Sequence, residues 1–173
     1  MQLHVLPFGL WIATELVLVL RRRSRAASAR DRGSMRVLWI AITLGCALAI
    51  GASFDARWRL PGDAHAWYAA GLACTTAGLV VRWWAVLVLG RFFTVDVAIR
   101  ADHELVTRGP YRFVRHPSYS GLLLVLAGLG CVVNSALSLA ILAVATMPAL
   151  AWRISIEERA LAETFGPRWD EYA

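Results

Sequence analysis

The chain contains no lysine; all 18 of its basic residues are arginine. Schiff-base chemistry and a lysine general base are therefore excluded, because both need an amine that can lose its proton. Charge of either sign is scarce as well. Only 17% of the 173 residues are charged and 58% are hydrophobic, against about 25% and 45–50% in an ordinary soluble domain. A globule of this size would have too few polar groups to cover its apolar surface in water. That excludes a soluble domain and a disordered segment. Cysteine is confined to Cys46, Cys74 and Cys131, each inside an apolar stretch. Their spacing suits neither a metal centre nor a disulfide scaffold, and they read as small buried apolar residues.

Long apolar runs are what the chain has in abundance. A bilayer core is crossed by about 20 apolar residues in a helix, and five spans are predicted, at 3–20, 37–54, 66–90, 119–133 and 135–153. The first is interrupted only by His4 and Glu15, the second by no charge, and the third by Arg82 near its far end. Pro117 to Trp152 holds no charged residue. As one straight helix it would be about 54 Å long, far beyond a core of about 30 Å. Asn134-Ser135 is the polar pair near its middle, so a tight helical hairpin is expected there. The expected fold is an all-α integral membrane protein forming one domain over residues 1–173, without internal repeats.

The net charge of +6 raises the question of nucleic acid, and the distribution of arginine answers it. Seven arginines lie in 21–36 and five in 91–118. By the positive-inside rule these loops face the cytoplasm, with the N-terminus outside and the C-terminal tail inside. No basic residue precedes the first span, so it is not read as a signal peptide. The basic excess is thus a topology signal, supplemented by contact with anionic headgroups; no nucleic-acid partner is expected. All-arginine usage points to a bacterial inner membrane.

Residues able to do chemistry gather in two segments, 103–121 and 153–172. The first is turn-rich around Gly109-Pro110 and feeds a helix whose first turn contains Pro117. Residues 116–119 then lie at a helix N-terminus, where free amides and the dipole attract a carboxylate. His116 and Ser118 add donors, while Tyr111 and Tyr119 add aromatic faces suited to an adenine or a sulfonium. The same residues would also serve as an ordinary interfacial anchor. In the second segment Arg153 and Glu157 are four apart on one helix face. They are read either as an i,i+4 ion pair or as ligand-binding groups. Because a hairpin returns the chain to the same membrane face, the two segments can meet.

Taken together, His-x-Leu-Val-Thr-x-Gly-x-Tyr from 103, Arg-His-Pro-Ser-Tyr-x-Gly from 115, Arg-x-x-x-Glu-Glu-x-x-Leu from 153 and Phe-Gly at 165 resemble the isoprenylcysteine carboxyl methyltransferase family. That family is related to membrane phospholipid methyltransferases. The resemblance covers roughly residues 82–172. It implies an S-adenosylmethionine-dependent methyltransferase that modifies an oxygen of a lipid-tailed acceptor at the cytoplasmic interface. It places cofactor binding on His103, Glu104, Leu105, Val106, Tyr111, His116, Pro117, Ser118, Tyr119 and Glu157, and makes Arg153 the substrate-binding and catalytic arginine. No metal is implied. The chain departs from the family's pattern at Asp96-Val97-Ala98, where a polar amide is usual, and at Trp169, where a tyrosine is usual; Tyr172 is kept.

The chemistry needs little beyond this. Methyl transfer from a sulfonium is an in-line displacement, so positioning is the largest contribution a protein can make. A carboxylate acceptor is already ionised, whereas a phenol or enol must lose a proton, and a neighbouring arginine favours that oxyanion. Alkylresorcinol- or alkylpyrone-like hydroxyls are the preferred acceptors for a bacterial relative. The alternatives are an amine N-methyltransferase acting on phospholipid headgroups and a non-catalytic membrane protein retaining the fold. An arginine inside a span usually faces a cavity or a partner. Arg82 is therefore assigned either to the acceptor pocket or to a pairing with Glu15 or a backbone carbonyl. Glu15 is not expected to be catalytic.

Overall fold

A computed structural model describes residues 9, 11–15, 33–92 and 104–173, and every regular element among them is helical. Residues 11–15 are helical. The named elements are α1 (Ser34–Ala52), α2 (Ala64–Leu89), α3 (Pro117–Val132), α4 (Ala136–Phe165) and α5 (Pro167–Tyr172), with short 3₁₀ turns at Ala56–Trp58, Gly90–Phe92 and Gly109–Arg112. The helices α1 to α4 fall on the predicted spans 37–54, 66–90, 119–133 and 135–153. Most of the predicted span 3–20 lies outside the described residues.

Three stretches, Ser34–Ala52, Ala64–Phe92 and Ala136–Phe165, are long and apolar enough to cross a membrane, and Pro117–Val132 is a shorter apolar helix. With 30 residues, α4 is about 45 Å long at about 1.5 Å per residue. It therefore continues as a helix well past the expected end of the span at Trp152-Arg153, which carries Glu157 and Glu158 beyond the apolar stretch. Ile40, Leu48, Leu87 and Val144 point outward at 58–74% exposure. Faces of that kind need hydrocarbon rather than water around them.

The hairpin turns at the polar pair near its middle. Asn134 takes φ +51, a left-handed conformation that asparagine tolerates better than most residues. Ser135 caps α4 by accepting from the Ser138 amide at 3.2 Å. The Ser138 hydroxyl then donates to the Ala49 carbonyl at 2.6 Å, fastening the start of α4 to the end of α1. The α1–α2 loop closes over the same turn, with an isolated bridge between Arg59 and Ser135 and a hydrogen bond donated by the Leu60 amide to the Asn134 carbonyl at 3.4 Å. This is one end of the bundle.

Packing within the bundle is set by small residues. In lipid there is no hydrophobic drive between helices, and close backbone approach supplies the attraction instead. Gly71, Thr75 and Gly78 of α2 face Gly121 and Gly128 of α3. A Cβ added at Gly78 would lie 2.6 Å from the Gly121 carbonyl oxygen, and one at Gly71 would lie 2.7 Å from that of Gly128. Nothing in the chain's hydropathy distinguishes this seam from the lipid-facing side. On the other flank α1 packs against α4, and Leu38, Ile42, Leu142 and Leu150 join Leu122, Val125 and Leu126 of α3 in the core.

Candidate functional site

At the end of the bundle away from the hairpin turn, the chain enters α3 through a compact turn. Gly109 has φ +62, and a Cβ there would meet Val88 Cγ2 at 2.9 Å; glycine is required both by the backbone conformation and by the approach to α2. Pro110 and Tyr111 are buried behind it. His116 occupies the N-cap of α3, Pro117 is in its first turn, and the His116 side chain makes no capping bond. The amides of Tyr119 and Ser120 both donate to the His116 carbonyl at 3.1 Å.

From that first turn a chain of polar contacts crosses to α4. The Tyr119 hydroxyl donates to Glu157 Oε2 at 2.8 Å. Arg153 Nε donates to the same hydroxyl at 3.1 Å, and Arg153 Nη1 donates to Ser34 Oγ at 3.1 Å. Arg153 is 2% exposed and Ser34 fully buried. Tyr119 thus stands between the two residues that the sequence places on one helix face. A guanidinium buried to this degree is tolerable only when its donors are satisfied, and these contacts orient it.

A second cluster lies just outside. His116 Nε2 sits 3.1 Å from Glu158 Oε1, and Arg115 Nη1 is 3.3 Å from the same oxygen. The His116 ring stacks on Tyr119 with centroids 5.7 Å apart and 27° between planes. The Tyr172 hydroxyl donates to the Tyr111 carbonyl at 2.6 Å, and buried Trp169 packs edge-on against Tyr172. An open depression of about 390 Å³ is lined by Tyr111 to His116 together with Tyr172 and Ala173. Burial holds the Tyr111 hydroxyl well above its ordinary pKa, the charges of Glu157 and Tyr172 push the same way, and Arg82 opposes them. Burial also raises Tyr172.

Beneath the first turn of α3 lies a third group. Arg82 forms an ion pair with Glu15 through Nε and Oε1, and a second bond joins Nη2 to Oε2 at 2.7 Å. Its remaining nitrogen, Nη1, donates to the Ser118 hydroxyl at 2.8 Å and the Ser118 carbonyl at 3.1 Å. The side chains of Arg82 and Glu15 are 11% and 5% exposed. Of the two roles read for Arg82, pairing with Glu15 and a backbone carbonyl is the arrangement found.

The structure therefore brings Tyr111, His116, Pro117, Ser118, Tyr119, Arg153 and Glu157 to one end of the bundle. Leu105 and Val106 are half-buried in the non-helical stretch leading into the turn, and Glu104 is exposed there. No hydrogen bond ties Glu104 to the network among the described residues. His103 lies outside the described residues. Ser34 and Glu158 were not singled out by sequence reasoning. Glu158 could have been found, since it neighbours Glu157 in the Glu-Glu pair. Ser34 carries no local signal, because it sits 119 positions from the arginine it contacts.

The isoprenylcysteine carboxyl methyltransferase family matches residues 71–163, more than half of the chain. The chain is 37% identical to protein-S-isoprenylcysteine O-methyltransferase B of Arabidopsis thaliana over 117 residues, covering 65% of this chain and 59% of that protein. Its counterpart A from the same plant is 35% identical with the same coverage. Protein-S-isoprenylcysteine O-methyltransferase of Schizosaccharomyces pombe is 29% identical over 152 residues, 79% of this chain and 64% of the relative. The chain thus spans less than two thirds of the length of these relatives. Arg82, His116, Ser118, Tyr119, Arg153, Glu157 and Glu158 all lie within the matched region, whereas Glu15 and Ser34 precede it. With the motifs of 103–121 and 153–161 inside one continuous match over residues 71–163, the chain belongs to the isoprenylcysteine carboxyl methyltransferase family.

Proposed function

We propose that the protein is an S-adenosylmethionine-dependent membrane methyltransferase acting on an oxygen of a lipid-tailed acceptor at the cytoplasmic face. The observation that carries this reading is the Glu157–Tyr119–Arg153 chain, in which groups 34 and 38 positions apart are hydrogen-bonded across α3 and α4. Three features suit the cofactor. Glu157 has one carboxylate oxygen engaged by Tyr119 and the residue is partly exposed, leaving acceptor capacity for hydroxyls or an amine. The positive end of the α3 dipole, where no side chain caps the helix, suits a carboxylate. The stacked His116 and Tyr119 rings offer an aromatic surface to an adenine or a sulfonium.

When bound, S-adenosylmethionine supplies a methyl group on a positively charged sulfur. Arg153, oriented by Tyr119 and Ser34, holds its charge toward the acceptor oxygen and favours its anionic form. Glu157, Tyr111 and residues 103–119, His103 among them, hold the cofactor, with His116 anchored by Glu158. The low polarity of the surrounding helices favours dispersal of charge during transfer. An oxygen acceptor is preferred over an amine because the relatives named above are O-methyltransferases by name. The reading includes five spans, the first over 3–20, with the N-terminus outside.

The test is ligand binding by the detergent-purified protein, comparing wild type with Glu157→Ala. Wild type is expected to bind S-adenosylmethionine saturably and Glu157→Ala at least about tenfold more weakly, since a charged hydrogen bond is worth roughly 1.5–3 kcal/mol. No saturable binding to folded wild type overturns the proposal. Transfer of labelled methyl into a total lipid extract then identifies the acceptor, with base-labile and base-stable products separating a carboxyl ester from an ether or an amine.

A further inference from the structure

The Glu15–Arg82 pair is the feature of the molecule that the proposed chemistry leaves unused. It is buried, and it joins a residue outside the family match to one inside it. Burial of an ion pair is weak evidence for stability, because replacing one by apolar side chains is often neutral or favourable. The contacts of Arg82 show what it does. Its Nη1 bridges the hydroxyl and carbonyl of Ser118, bracing the first turn of α3 one residue before Tyr119. That brace brings a permanent positive charge to a site that must accept a cationic sulfonium.

We infer that Glu15 is a positioning residue that cancels the charge of Arg82, so that the guanidinium can brace Ser118 without repelling a positively charged ligand. Two facts support this. Glu15 engages two nitrogens of the guanidinium and leaves Nη1 to Ser118. Trp11 Nε1 donates to Glu15 Oε1 at 3.2 Å and holds the carboxylate in place. The carboxylate acts through Arg82 and need touch neither ligand nor acceptor. Arginine cannot shed its proton in a protein, so the balance has to come from a fixed anion, and the N-terminal segment supplies it.

The inference rests on the proposed use of S-adenosylmethionine, and its test separates the two. Affinities are measured for S-adenosylmethionine, a cation at sulfur, and for S-adenosylhomocysteine, its neutral thioether counterpart, and the readout is their ratio. A unit charge about 10 Å away at an effective dielectric constant near 20 alters a cation's affinity by roughly tenfold and leaves a neutral ligand's nearly unchanged. Glu15→Gln is therefore expected to lower the ratio about tenfold, and Glu15→Gln with Arg82→Gln to return it to near the wild-type value. A purely structural role would weaken both ligands together and leave the ratio unchanged in Glu15→Gln, which overturns the inference. If Glu15→Gln does not fold, Arg82→Gln is read instead: with the guanidinium removed and the carboxylate kept, preference for the cation is expected to rise above the wild-type ratio, and an unchanged ratio overturns the inference. Wild type that binds neither ligand overturns the methyltransferase reading itself, and the inference with it.

Discussion

At the scale of single residues, Tyr119 joins two segments that share no local sequence. Its hydroxyl donates to Glu157 and accepts from Arg153, so removing one oxygen atom leaves both charged groups short of a partner. A buried group left unsatisfied costs about 1–3 kcal/mol. Tyr119→Phe is expected to lower thermal stability by that amount and to weaken cofactor binding about tenfold; binding and melting curves at wild-type levels would show the hydroxyl to be incidental. Arg153 makes a harder demand. It uses two differently directed N–H groups, Nε to Tyr119 and Nη1 to Ser34, and lysine offers one flexible ammonium without that planar fork. Arg153→Lys should fold yet lose at least about tenfold in methyl transfer, a difference of roughly 1.4 kcal/mol in the barrier. Retention of full turnover would refute the orienting role.

At the scale of elements, the site depends on how closely α2 and α3 approach, since Arg82 on one helix reaches Ser118 on the other. Gly78 is the sensitive position. A Cβ there would stand 2.6 Å from the Gly121 carbonyl oxygen and 2.9 Å from the Val125 amide nitrogen, both backbone atoms that cannot swing aside. Gly78→Leu should therefore force the helices apart, with a loss of several kcal/mol or no folded protein. Gly51 in α1 is the control: nothing lies within 4 Å of an added Cβ. Gly51→Ala should be neutral, or stabilising by up to about 1 kcal/mol through the gain in helix propensity. Equal melting temperatures for the two variants would rule out the glycine seam. The hairpin turn was readable beforehand, because a charge-free run too long for one crossing has to bend at its polar pair. The seam was not, because glycine in an apolar helix looks the same whether it meets lipid or another backbone.

At the scale of the whole molecule, the C-terminal helix closes on the turn before α3 through the Tyr172 bond to the Tyr111 carbonyl, and both phenols are held above their ordinary pKa of 10.0, chiefly by burial. The sign of the effect on stability follows directly. Below about pH 10 both folded and unfolded chains keep these phenols neutral, and the contribution is intact; above it the unfolded chain ionises first and folding loses ground. The melting temperature in detergent should therefore fall from about pH 10 upward, and Tyr111→Phe should reduce that slope. A slope indifferent to the substitution would place the loss elsewhere.

The helical, membrane-spanning class of the protein was legible in the sequence alone, and so were the two polar segments that lie at one end of the bundle. Hydrophobic runs of bilayer length allow only helices, because a backbone in lipid must satisfy its own hydrogen bonds, and the ordered motifs of 103–121 and 153–166 identify the residues that gather at one end of the bundle. What only the tertiary structure decided is which of those residues touch and what completes their bonding. Arg153 meets Ser34 across 119 positions and Arg82 meets Glu15 across 67. Pairings of that range leave no periodicity or spacing in the chain, since they are imposed by helix packing and by the cost of burying a charge without a partner.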